Sequence, residues 1–241
     1  MRRAIALSVS VASLLSLLAG CSVVERMGAR NCPASRRLTP GQADRFDFVK
    51  VGGVTYHAAQ APGPLAGREL RGGDLDRKVA EVRCQLADSN TDPPVNFDGD
   101  AAFLAEGTAL HAVRGYRPGF RLAARREGRL VLFEAVENPR ARTWGDLLDL
   151  RGKVRAIRLY HDGPVRPAGA VTDPALLGRL VDLLLRAPLG RHNCPDGSLT
   201  LVFQFTDGTS SVHRYHVHLG RMDCEAPLPQ PFRAAMRAAS G

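Results

Sequence analysis

The sequence predicts an α+β fold: a β-rich segment over residues 46–150, then a strand-helix-hairpin-helix segment over 151–241. Three observations carry this expectation. Short runs from Val49 to Val136 alternate apolar and polar residues around glycine-containing turns. A single leucine-rich run with helical spacing follows Asp173-Pro174. Finally, the 241 residues are 44% hydrophobic and 24% charged, which excludes collagen-like, disordered, coiled-coil and multi-span membrane chains. Aromatic residues make up only 6%, so Leu, Val and Ala must build the core. Almost every basic residue is arginine, a bias of GC-rich coding that carries no functional meaning.

The chain opens with an address. Met1-Arg2-Arg3 is a positive n-region, Ala4 to Leu18 is an apolar run, and Leu18-Ala19-Gly20-Cys21 closes it with small residues. That order reads as a secretory signal peptide over 1–20, which plays no part in the fold. The run is short for a membrane span, and no hydrophobic continuation follows. Its ending resembles the lipobox of bacterial lipoproteins. The resemblance implies a diacylglyceryl group on the Cys21 thiol, cleavage before Cys21, and acylation of the freed amine. Residues 21–45 then read as the lipidated cysteine and a polar tether, with Pro33, Pro40 and Gly41. The expected location is the extracytoplasmic side of a cell membrane, held there by acyl chains.

Beyond Cys21 the cysteines are Cys32, Cys84, Cys194 and Cys224, an even number in an exported chain. Four cysteines allow three connectivities. Pairing by neighbourhood gives Cys32 with Cys84 and Cys194 with Cys224, each bridge worth roughly 3–4 kcal/mol. No CxxC spacing supports a zinc ribbon or a redox pair.

In the β-rich segment, Val49 to Tyr56 is a hairpin around Gly52-Gly53, setting Val51 against Val54 and Val49 against Tyr56. Ala80, Val82, Cys84 and Leu86 alternate onto one buried face. Arg117-Pro118-Gly119 suits a type II turn. A second hairpin turns at Glu127-Gly128 and pairs Phe120 with Ala135, Leu122 with Phe133 and Ala124 with Val131.

Beyond Arg151, Lys153 to Tyr160 is a strand. Asp173 caps a helix with Pro174 at its first position and Pro188 past its end. Leu199–Phe205 and Val212–Leu219 form a hairpin. A three-residue turn at Asp207-Gly208-Thr209, or a bulge, would set Leu201 against Tyr215 and Leu199 against Val217. Pro231 to Ala239 closes the chain as a short helix.

Three sets of residues invite a chemical reading. In His213-Arg214-Tyr215-His216-Val217-His218, strand alternation makes His213 a hydrogen-bonded core histidine and aims His216 and His218 to the other side, where they could present two imidazoles to a metal or small ligand. Asp92, Asn96, Asp98, Asp100 and Glu106 form an acidic loop that fails the EF-hand pattern. Arg114, Arg117, Arg121, Arg125, Arg126 and Arg129 are opposed within their segment only by Glu127, and could face anionic lipid or an acidic wall polymer. The chain carries a formal +9; loss of Arg2 and Arg3 with the leader lowers this by two. Export makes nucleic acid an unsuitable target.

No GxSxG elbow, HExxH, P-loop, GxGxxG or SxxK motif is present. Asp47 to Tyr56 (DFVKVGGVTY) and Gly107 to Ala123 (GTALHAVRGYRPGFRLA) resemble a pattern in uncharacterised lipoproteins of Gram-positive bacteria, a likeness that brings no activity, cofactor or site residue with it. The expectation is therefore a lipid-anchored, non-enzymatic binding or envelope-interaction module with an unknown protein partner. A metal or small-ligand binder and an envelope hydrolase stand as alternatives.

Overall fold

The computed structural model describes residues 47–59, 63–86, 97–161, 166–193 and 198–241, all within one compact unit. Cys21, Cys32, Cys194, Asp92 and Asn96 lie outside the described residues. Two sheets build the fold. The first has eight strands, β1 (Phe48–Val51), β2 (Val54–Ala58), β3 (Leu75–Glu81), β4 (Cys84–Gln85), β5 (Asp100–Ala101), β6 (Ala109–Val113), β7 (Arg121–Arg126) and β8 (Arg129–Glu137), ordered β3-β6-β7-β8-β2-β1-β5-β4. The second has β9 (Val154–His161), β10 (Arg166–Val171), β11 (Leu199–Phe205), β12 (Ser210–His216) and β13 (Arg221–Met222), ordered β10-β9-β11-β12-β13. Three α-helices are described: α1 (Trp144–Leu147), α2 (Pro174–Arg186) and α3 (Gln230–Ser240).

Apolar alternation decides the first sheet. Val49 opposes Tyr56 and Val51 opposes Val54, as the Gly-Gly turn requires. In β7–β8, Leu122 meets Phe133 and Ala124 meets Val131, while the Ala135 amide donates to the Phe120 carbonyl. Val82, Cys84 and Leu86 are buried on one face. The Arg117–Phe120 turn is not type II, because Gly119 lacks the positive φ that type demands. One apolar cluster joins Leu122 and Phe133 from the first segment with Ile157, Leu180 and Phe203 from the second.

α2 begins where the sequence says it should: Asp173 Oδ1 accepts from the Leu176 amide at 2.7 Å with Pro174 in the first turn. It buries Leu177, Leu180, Val181 and Leu184 at helical spacing. The β11–β12 hairpin has the expected three-residue turn, but one residue earlier in the chain. Its loop is Thr206-Asp207-Gly208, with Gly208 at φ +88°, so Leu199 opposes Tyr215 and Leu201 opposes His213. Asp207 Oδ1 takes both the amide and the hydroxyl of Thr209 (2.9 and 2.7 Å), which ends the turn one residue early. The register moves by two, so the faces are preserved and only the partners change.

Candidate functional site

β7 and β8 put Arg121 opposite Glu134, and Thr209, Ser210 and Ser211 of the β11–β12 hairpin close over the pair. Arg121 is fully buried. Its Nε donates to Glu134 Oε1 at 2.8 Å, Nη1 to Thr209 Oγ1 at 2.7 Å and Nη2 to the Ser210 carbonyl at 2.9 Å. Three rings cage the guanidinium: Tyr116, Phe120 and Phe205, at 4.5, 4.9 and 4.2 Å from their centroids.

From Glu134 the polar chain continues through β12. Ser211 Oγ donates to Glu134 Oε2 at 2.6 Å and lies 2.9 Å from His213 Nε2; His213 Nδ1 lies 2.6 Å from Asp223 Oδ2. Asp223 and Cys224 both have left-handed backbone, φ +49° and +61°, which turns Asp223 back toward β12. The Arg214 amide donates to Asp223 Oδ1 and fixes that carboxylate.

Hydrogen-bond bookkeeping sets the protonation. Carboxylates accept only, so Nδ1 must donate to Asp223 and the Ser211 hydroxyl must donate to Glu134. Ser211 Oγ is then an acceptor, and Nε2 must donate to it. His213 is therefore an imidazolium within an alternating series, Asp223⁻, His213⁺, Glu134⁻, Arg121⁺. Burial pulls its pKa down, but Asp223 and then Glu134 outweigh that and raise it above the usual imidazole range.

Ser211, His213 and Asp223 have the spacing of a nucleophilic triad but not its wiring. A nucleophilic serine needs its proton placed on the imidazole and its oxygen open to substrate. Ser211 is 1% exposed and its proton points at Glu134. The unit is a strut, buried from Arg121 to Ser211 and reaching solvent at Asp223.

The strut underlies two adjoining open cavities of about 780 and 650 Å³ that share Glu134, Val136 and Val212. β8 floors both: Val136, 45% exposed, faces the two cavities, and half-buried Leu130 and Leu132 line the second. One end is bounded by Trp144 of α1 with Arg191, His192 and Glu225; the other by His57, Arg68, Glu69, Arg126 and Arg129. α1 is pinned there by Arg117, whose Nη2 donates to the Gly145 and Leu148 carbonyls. Asp146 caps it, and the Arg142 and Thr143 amides hold that carboxyl below its usual range. Burial lowers His57 against the opposing pull of Asp47 and Glu137. Cations here are mostly neutralised: Arg68 by Asp74, Arg126 by Asp47, Arg129 by Glu69 and Arg191 by Glu137. Arg68 in turn drives the Asp74 carboxyl down to about 2.

The six arginines singled out in sequence are held in separate settings. Arg121 is not a surface residue at all, because the cross-strand carboxylate Glu134 and the covering second sheet bury it. Arg114 donates to the Gly73 and Leu75 carbonyls, and Arg125 to that of Gly128. His216 and His218 do not share a strand face: β12 ends at His216, which is buried with Nε2 3.4 Å from Cys224 Sγ, while His218 lies exposed in the following turn. Among the described residues no group of three His, Cys, Asp or Glu is placed to hold a metal. Cys84 is buried on β4, Cys224 is half-buried, and neither is a free thiol. Asp98 and Asp100 serve structure: Asp98 accepts from the distant Gly53 amide and Asp100 from the nearby Phe97 amide.

Sequence reasoning missed Glu134, Ser211, Asp223 and Trp144 as site residues. One signal was available: the register that pairs Leu122 with Phe133 also sets Arg121 against Glu134. No described helix is long and apolar enough to cross a membrane. No family model, curated protein or solved structure matches this chain.

Proposed function

We propose that this chain is a lipid-anchored extracytoplasmic protein, modified at Cys21 and cross-linked as Cys32–Cys84 and Cys194–Cys224, that binds a partner without chemistry. The partner is an extended segment of another polypeptide, laid along the outer face of β8. One observation carries the reading: Leu130, Leu132 and Val136 line an open groove with a charge-balanced rim. A polyanion would find its cations already paired, whereas a near-neutral chain with alternate apolar side chains could bury them on the β8 floor. The strut, buried from Arg121 to Ser211, supports this reading by making the floor stiff, which lowers the ordering cost of binding.

The test places a photo-crosslinking amino acid at position 136 or, as a control, at Ala238 on α3, in the full chain in intact cells. The expected result is an adduct at position 136 alone, mapping to a polypeptide segment of low net charge, diminished by excess wild-type chain as competitor and left intact by excess Val136→Glu chain. Equal labelling at both positions, or an adduct with a glycopolymer, overturns the proposal. The anchor is read separately, by the mass of the amino-terminal peptide.

A further inference from the structure

The corner formed by β13, the turn before it and α3 carries cations with no carboxylate partner among the described residues. Arg221, Arg233 and Arg237 make no ion pair among the described residues. From Ala226 to Gly241 the sequence contains no Asp or Glu. α3 starts on Pro229 with no side-chain cap and no acid in its first turn. Arg233 sits in that first turn, where the helix dipole disfavours a cation. Its stem lies directly across Gly220, so close that a Cβ at position 220 would fall 2.0 Å from Arg233 Cδ. The Nε atoms of Arg221 and Arg233 are buried without an acceptor, as is the hydroxyl of fully buried Tyr215, which feels the charges of Arg237 and Arg233. α3 holds itself to the core by Phe232 and Met236 and leaves Arg237 exposed. The contrast with the arginines of β7 and β8 is direct, since Arg126 and Arg129 are matched by Asp47 and Glu69.

We propose that Arg221, Arg233 and Arg237 form the face that meets an anionic phospholipid surface, with lipid phosphates as the counter-charge the chain lacks. The proposal rests on the membrane-anchored reading for its choice of bilayer over another polyanion. A chain tethered by acyl groups is already beside headgroups, so a modest patch suffices to orient it, and its pull is confined to about 8 Å at physiological salt.

The test uses the full chain with Cys21→Ser, which removes acylation while the leader contributes equally to every variant. Binding is measured to phosphatidylcholine vesicles with and without roughly one-third phosphatidylglycerol. The preference for anionic vesicles should fall about tenfold or more in R233E/R237E, vanish in high salt, and stay within about twofold of wild type in R233K/R237K and R125E/R129E. If R233E/R237E does not fold, R237E alone should lower the preference about threefold, because Arg237 is exposed. An unchanged preference in R237E overturns the proposal. So does full competition by millimolar inorganic phosphate, which identifies a discrete phosphate site in place of a membrane face. Loss of the anchor in cells with vesicle preference intact would sink the anchored reading alone.

Discussion

The hairpins β7–β8 and β11–β12 are built from similar lengths of chain, yet different forces fix their registers. In β7–β8 the apolar set Phe120, Leu122 and Ala124 meets Ala135, Phe133 and Val131, so the hydrophobic pattern and the Glu127-Gly128 turn agree. In β11–β12 the apolar pattern alone favours Leu201 beside Tyr215, but the three-residue turn forms one residue earlier, which shifts the register by two and sets Leu201 against His213. That choice brings Ser211 and His213 into line between Glu134 and Asp223. Greasy pairing specifies one hairpin, and a satisfied polar chain together with an Asp207-capped turn specifies the other.

The two determinants, apolar pairing and polar chain, should fail differently when broken, and adjacent residues of β8 test both. Phe133→Ala removes a fully buried ring from the apolar register and should cost about 3–5 kcal/mol in urea unfolding, with the fold otherwise retained. Glu134→Ala should cost about as much through a different route, because Arg121 is left buried with an unmatched charge. The double change R121M/E134L separates the mechanisms: it should recover most of the loss, since both charges leave together. A double variant no more stable than Glu134→Ala would show that the strut contributes more than charge neutrality.

Much of the fold could be read in advance because it follows from pattern. The Gly-Gly hairpin, the Asp173 cap and the α2 stripe are local signals, and each emerged where expected. The site was hidden because it is assembled across the two sheets. Glu134 and Ser211 look like solvent-facing residues of alternating strands, and only the covering sheet makes them interior. Asp223 reaches His213 through two left-handed non-glycine residues, a geometry that composition does not announce. The arginine run misled for the same reason: a count of like charges does not register carboxylates supplied from distant parts of the chain, such as Asp47 and Glu69.

The smallest effect distinguishes the hairpins most cleanly, because the strut's imidazole lies on β12. His213 is held above its ordinary imidazole value in the folded protein. Below that ordinary value both folded and unfolded chains are protonated, and the stabilisation is complete. As pH rises, the unfolded chain releases its proton first, and stability falls until folded His213 also deprotonates, by at most about 1.4 kcal/mol per pH unit within that window. His57 shifts oppositely, because burial lowers it, so its contribution weakens as pH falls instead. Urea midpoints from mildly acidic to mildly alkaline pH should therefore decline on the alkaline side for the wild-type chain and lose that slope in His213→Gln, with the acid-side decline unchanged. An alkaline slope that survives in His213→Gln would mean that His213 is neutral and that Ser211 donates to it, reversing the proton order derived for the strut.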